Sequence, residues 1–198
     1  MNRRRFFIGA GAAALAPFAL AVPGNAGELP QDGVDWFTNV PVQTQDGRTL
    51  RFYDDVMKGK ILVINFFFTD CDNLCPIATD NLVRVQELLG DRVGKDIRFV
   101  SISLQPEHDT PEVMAEYAKK HGVGPGWLFL TGKRDDIELL RHRLGFWDIS
   151  PEVDADPEQH LGTVRFANEP MHRWTMMPSL TSPAALVRSV YRVIPQFV

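Results

Sequence analysis

The chain contains only two cysteines in 198 residues, Cys71 and Cys75, and this scarcity limits what they can do. A disulfide between residues so close in sequence closes a very small loop and stabilises a fold by only about 2 kcal/mol. A domain of this length buries about 70% of its unfolded surface without help from such a bond. A structural zinc site normally takes four protein ligands, and no such set can be identified. The cysteine pair is therefore better explained by chemistry than by structural support.

Beyond the N-terminal 26 residues the sequence has no basic cluster and no apolar run long enough to span a membrane. In the whole chain, the 21 Lys and Arg residues are outnumbered by 25 Asp and Glu, which gives a formal net charge of −4 at pH 7. An acidic domain without basic clusters argues against nucleic acid as a partner. There is no internal repeat or low-complexity tract, so residues 42–198 are predicted to form a single domain.

The N-terminal residues predict an export signal. The run NRRRFF at residues 2–7 matches a twin-arginine pattern, and the apolar stretch that follows ends in small residues before Gly27. We therefore expect residues 1–26 to be a twin-arginine-type signal and residues 27–41 to be an extended arm. The folded domain is then expected in the periplasm, and anchored to the membrane if the signal is not cleaved.

The two cysteines lie between a predicted strand and a predicted helix. Residues 61–68 (ILVINFFF) are continuously apolar, as in a buried strand of an α/β sheet. Apolar residues then recur at helical spacing from Leu74 to Leu89, and Pro76 suits the first helical turn. The positive end of a helix lowers the pKa of nearby thiols. The sequence therefore predicts thiols that ionise readily at a strand-to-helix turn.

Strands and helices alternate along the rest of the chain, with an acidic loop at 145–159. The predicted strands are a hairpin within 42–52 around Asp46-Gly47, two buried strands at 97–104 and 127–130, and a late pair at 161–167 and 171–177. The predicted helices cover 110–121, 135–144 and 183–193. This order predicts an α/β fold with a mainly parallel central sheet, helices on both faces and an antiparallel hairpin.

Four stretches together resemble the SCO/SenC family of copper-binding proteins. They are KGK at residues 58–60 before the buried strand, the C-x-x-x-C-P pattern at 71–76, the segment SLQPEHDTP at 103–111, and a late histidine, His160. The resemblance implies a thioredoxin-like three-layer sandwich. It also implies that Cys71, Cys75 and His160 bind one copper ion, as Cu(I) or Cu(II).

The same resemblance implies a metallochaperone. Its partners would be the copper ion and a copper-accepting respiratory protein, typically cytochrome c oxidase. A thiol reductant that keeps the cysteines reduced would be a third partner. The chemistry of the residues agrees with this, because two soft thiolates and one imidazole make a three-coordinate set that suits copper, and sulfur favours Cu(I).

Two other uses of the cysteines stay open. A thiol–disulfide oxidoreductase would cycle the pair between dithiol and disulfide, with Cys71 attacking and Cys75 resolving. Thioredoxin-type enzymes place two residues between their cysteines, whereas this chain has three. A peroxidase of the peroxiredoxin type would need an arginine beside its reactive cysteine, and the turn contains none.

Two further segments carry open interpretations. Met171, His172, Met176 and Met177 are either a surface that passes copper on or ordinary packing residues of a hairpin. The acidic loop either moves to bring His160 to the thiolates, or docks a partner, or is simply solvated.

Overall fold

A computed structural model of the chain describes residues 36–194. The predicted signal at 1–26 and most of the predicted arm lie outside the described residues. The strands are β1 (Pro41–Thr44), β2 (Thr49–Arg51), β3 (Ile61–Phe67), β4 (Ile97–Ser103), β5 (Trp127–Thr131), β6 (Thr163–Asn168) and β7 (Arg173–Pro178). The helices are α1 (Leu74–Leu89), α2 (Pro111–Lys120), α3 (Arg134–Arg143), the short α4 (Pro151–Asp154) and α5 (Pro183–Val193).

All seven strands form one mixed sheet in the order β2-β1-β5-β4-β3-β6-β7. The three central strands β5, β4 and β3 are parallel, and an antiparallel hairpin borders them on each side. Parallel pairing is thus confined to the centre, because the short turns inside each hairpin can join only antiparallel strands. Within the described part, no helix is long and apolar enough to cross a membrane.

Helices cover both faces of the sheet, which confirms the predicted three-layer arrangement. The Phe67 ring lies 5.5 Å from the ring of Tyr117 in α2, whereas Phe66 meets Phe146, just beyond α3, at 4.8 Å. Neighbouring residues of a strand face opposite sides of the sheet, so α2 and the end of α3 lie on opposite faces. A hydrogen bond of 2.9 Å between Thr79 and the Tyr117 hydroxyl places α1 beside α2, and α5 packs against α1.

The expected loop at 145–159 is more regular than its composition suggests. It contains α4 and a 3-10 turn over Pro157–His160, and each begins at a proline. Proline suits the first helical position because its missing N–H would have no partner there. The Asp156 side chain caps the second turn by accepting from the N–H of Glu158 at 3.0 Å.

The late hairpin starts later than predicted on both strands. His160 ends a turn instead of opening a strand, so β6 begins at Thr163. A 3-10 turn over Glu169–Met171 and a left-handed φ of 51° at His172 then delay β7 to Arg173. Both shifts come from tight turns, which the alternation of apolar and polar residues does not reveal.

Candidate metal centre

The cysteine pair lies where the carboxyl end of β3 turns into α1. Cys71 stands in the turn and Cys75 in the first turn of α1, as the sequence predicts. Beside Cys71 is a pocket of about 410 Å³. Its lining residues are Phe68, Asp70, Cys71, Asp72, Asn73, Leu74, Glu158 and Leu161. Three carboxylates and no arginine line this pocket, so its charge favours a cation and does not support a peroxidase site.

Both cysteines are free thiols, and the Cys71 sulfur lies against the backbone of Cys75. The backbone N–H of Cys75 points at the sulfur of Cys71 with N and Sγ 3.4 Å apart. Cys75 is buried, with 3% of its surface exposed, while Cys71 is only partly covered. The structure therefore describes the dithiol form, and the Cys71–Cys75 disulfide expected of the oxidised pair stays a prediction.

The surroundings give the two thiols opposite ionisation behaviour. Burial alone would raise the pKa of Cys71, but N–H groups of the helix start and the Cys75 thiol donate to its sulfur and lower the pKa below its usual value. Burial raises the pKa of Cys75 to about 12, and the nearby charges of Cys71 and Asp109 add to the rise. Of the two thiols, Cys71 is therefore the more readily ionised and the more nucleophilic.

We expect this difference to appear in alkylation. At pH 7, iodoacetamide should modify Cys71 at least about tenfold faster than Cys75, because the thiolate is the reacting form and Cys75 is buried. Mass spectrometry of digested protein after timed exposure measures both rates. A Cys71→Ser variant, which should react only slowly, is the control. Equal rates at the two cysteines in the wild type would contradict the assignment.

A fully buried carboxylate fixes the turn that carries Cys71. Asp109, with 0% of its surface exposed, accepts hydrogen bonds from the Thr69 hydroxyl and the Ser103 hydroxyl, both at 2.5 Å. The backbone N–H of Thr69 adds a longer contact at 3.3 Å. Ser103 ends β4 and Thr69 follows β3, so Asp109 ties the ends of two parallel strands together. The next residue, Thr110, caps α2, and its side chain accepts from the N–H of Val113.

The structure does not bring His160 to the cysteines. Its side chain is buried on the other side of the 157–160 turn, where Nε2 lies 2.8 Å from the carbonyl oxygen of Asp154 and 3.0 Å from Nη1 of Arg141. Yet Glu158 and Leu161, on either side of it, line the cysteine pocket. Among the described residues, no three His, Cys, Asp or Glu side chains are grouped closely enough to hold a metal ion. Two of the three predicted ligands are together, and the third, His160, does not line their pocket although its chain neighbours do.

The remaining histidines have structural or surface positions. His121 is buried against α1, where its Nδ1 lies 2.6 Å from a carboxylate oxygen of Asp80. His108, His142 and His172 are exposed. None of these four lines the cysteine pocket.

The strand pairing separates the late methionines, which the sequence offers as a possible copper-passing surface. Met176 and Met177 pair with Arg165 and Val164 near the cysteine end of β6, whereas Met171 lies in the turn at the opposite end. The Met177 sulfur accepts a hydrogen bond of 2.7 Å from the Ser189 hydroxyl of α5, so it packs inside the fold. Met176 alone remains an exposed thioether near the cysteine end, with 54% of its surface accessible.

Comparison with known proteins gives the fold and the family. The SCO1 protein homolog of Bacillus subtilis is 32% identical over 98 residues, which is 48% of this chain and 49% of the relative. The crystal structure of yeast Sco1 with copper bound matches with a TM-score of 0.62 at 20% identity, covering 80% of this chain and 91% of that one. BsSco, described as having a disulfide switch and as a member of the Sco family of cytochrome c oxidase assembly proteins, matches with a TM-score of 0.60 at 22% identity, covering 78% and 90%.

The structural likenesses confirm the thioredoxin-like α/β fold. The chain spans about half the length of the curated relatives it matches. A family model described as SCO1/SenC matches residues 41–194, which include both cysteines, Asp109 and His160. This chain therefore belongs to the SCO1/SenC family, as its motifs predict.

Proposed function

We propose that this chain is a periplasmic copper metallochaperone that holds one copper ion with Cys71, Cys75 and His160 and passes it to a copper centre of a respiratory enzyme. The observation that carries the proposal is the cysteine pair. Two free thiols lie at a helix start, where the N–H of Cys75 contacts the Cys71 sulfur, and Cys71 lines an acidic pocket. Soft sulfur ligands select Cu(I), and an imidazole also accommodates Cu(II).

The incomplete ligand set suits a carrier better than a permanent metal site. Three protein ligands leave the ion open to attack by a ligand of an acceptor, so that copper can pass from one protein to the other by exchange. The partly covered Cys71 offers the exposed side of the pair, and the three carboxylates around it draw cations towards the pocket. Here copper is the cargo and the protein supplies the ligands.

Relatives support the choice of ion and destination. Yeast Sco1 has been crystallised with copper bound, and BsSco is described among cytochrome c oxidase assembly proteins. We extend both properties to this chain, with a copper centre of cytochrome oxidase as the acceptor. The twin-arginine pattern at residues 2–7 supports export to the periplasm.

The role of His160 is tested by substitution. In the reduced, anaerobic protein, His160→Ala should weaken Cu(I) binding by about tenfold to a hundredfold, because one of three ligands is lost while both sulfurs remain. Competition with a Cu(I) chelator measures the affinity and the stoichiometry. His172→Asn, at an exposed hairpin turn, is the matched control and should leave the affinity unchanged. Affinity that is indifferent to His160 would contradict its role as a ligand.

One observation favours a second function, thiol–disulfide exchange. The lowered pKa of Cys71 suits it to attack a disulfide of an acceptor, after which Cys75 would lose its proton and displace the acceptor from the mixed disulfide. The products are a reduced acceptor and a Cys71–Cys75 disulfide. Exchange does not need His160, whereas copper binding does, so the His160→Ala variant separates the two functions.

A further inference from the structure

The buried arginine of α3 contacts the proposed histidine ligand directly. Arg141 has only 5% of its side chain exposed and pairs with Asp154 through two contacts, Nη1 to Oδ1 at 2.6 Å and Nη2 to Oδ2 at 2.9 Å. It also donates to Glu138 at 2.9 Å and to the carbonyl of Phe146 at 2.8 Å. A planar guanidinium with this many partners is held in one place.

These contacts surround the histidine nitrogens that a metal would need. The carbonyl oxygen of Asp154 can only accept, so Nε2 of His160 carries a proton and donates to it at 2.8 Å. Nη1 of Arg141 already donates its two protons to Asp154 and to the carbonyl of Phe146, so it packs against the imidazole, 3.0 Å from Nε2 and 3.5 Å from Nδ1. The ring is thus held against the Arg141–Asp154 pair, and His160 is not among the residues that line the cysteine pocket.

We propose that Arg141 and Asp154 form a latch that holds His160 away from the cysteines, and that copper capture requires this latch to open. The inference rests on the proposed function, because it concerns the third ligand of that site. Arg141 is a positioning residue, since it acts on copper only through His160.

The backbone on both sides of His160 already lies beside the cysteine pocket. Glu158 and Leu161 line this pocket. The N–H of Leu161 is held only by a long hydrogen bond of 3.3 Å to the carbonyl of Glu158. Gly162 follows with a φ of +80°, in the left-handed region that glycine adopts without strain. A rearrangement of the 157–161 turn between α4 and β6 would turn the ring from Arg141 towards Cys71.

A latch of this kind reduces copper affinity by a calculable amount. A protein whose competent state is only partly populated binds with an affinity lowered by that fraction. Weakening the latch must therefore strengthen copper binding, up to the affinity of a site in which His160 is always free. Loss of an ordinary stabilising ion pair would not raise copper affinity. The increase expected from the latch variants requires His160 as the third ligand.

The experiment measures Cu(I) affinity by chelator competition in a double-mutant cycle. Arg141→Met and Asp154→Asn are each combined with wild-type His160 and with His160→Ala. We expect each latch variant to raise Cu(I) affinity by roughly fivefold when His160 is present, which corresponds to the loss of about one ion-pair or hydrogen-bond contribution. In the His160→Ala background the same variants should change nothing. Arg134→Met is the matched control, because it removes an arginine of the same helix that pairs with Glu107 and does not contact His160.

Each outcome decides the matter. An unchanged or lower affinity in folded Arg141→Met, or a gain that persists in His160→Ala, overturns the latch. If Arg141→Met does not fold, Asp154→Asn decides alone, because asparagine keeps the shape of the side chain. An unchanged Cu(I) affinity in Asp154→Asn would also contradict the latch. If Cu(I) affinity depends on His160 but not on Arg141 or Asp154, the latch is contradicted and the proposed function is not. A wild-type protein that binds no copper contradicts the proposed function and the latch with it.

Discussion

Replacing either Cys71 or Cys75 with serine is expected to weaken Cu(I) binding by about two to three orders of magnitude. Structural zinc sites with four protein ligands bind their ion with about 10–16 kcal/mol, so one such ligand contributes roughly 2.5 to 4 kcal/mol. Serine keeps the size of the side chain but replaces a soft sulfur with a hard oxygen that Cu(I) does not favour. Chelator competition on the reduced, anaerobic variants measures the loss.

The control for this prediction is a substitution at Asn73, which lies between the two cysteines. Asn73 precedes α1 and its side chain makes no capping hydrogen bond, so Asn73→Ser alters the same turn without removing a sulfur. We expect its copper affinity to stay within about threefold of wild type. Wild-type affinity in Cys71→Ser or Cys75→Ser would show that the ion is held elsewhere.

The second large effect is on stability, through the carboxylate beneath the cysteine turn. Asp109→Ala should lower the free energy of unfolding by about 3 kcal/mol, because two hydroxyl donors, Thr69 and Ser103, lose their buried acceptor. Urea denaturation of the reduced protein measures the change. The turn that carries Cys71 loses its anchor at the same time, so copper affinity should fall in this variant as well.

Two further variants test this prediction. Asp109→Asn keeps one carbonyl oxygen and should lose roughly half as much stability. Asp72→Ala removes an exposed acid from the same turn and should change stability by less than about 0.5 kcal/mol. Equal stability of Asp109→Ala and Asp72→Ala would contradict the anchoring role of Asp109.

Much of the fold could be predicted because its signals are local. The apolar run that becomes β3, the helical spacing of α1 and the turn residues of the first hairpin each act over a few neighbouring positions. The same signals place Cys71 and Cys75 correctly at a strand-to-helix turn. The parallel centre of the predicted sheet is confirmed by β3, β4 and β5, and an antiparallel hairpin lies at each edge.

The part that could not be predicted depends on contacts between distant residues. Asp109 reaches Thr69, 40 positions earlier in the chain, and Arg141 reaches His160, 19 positions later. No periodic pattern marks such pairs. The family resemblance predicts His160 as a ligand, but no local pattern marks the contacts with Arg141 and Asp154 that hold its imidazole in this structure. The three-ligand site therefore remains a prediction, and the structure describes its two sulfurs without His160 in the lining of their pocket.

The most direct measurement of the central claim is X-ray absorption at the copper edge of protein loaded with one equivalent of Cu(I). The account predicts two sulfur ligands and one nitrogen ligand with the outer-shell scattering of an imidazole, which disappears in His160→Ala while both sulfurs remain. A copper ion with fewer than two sulfur neighbours, or an imidazole signal that survives in His160→Ala, would contradict the proposed site.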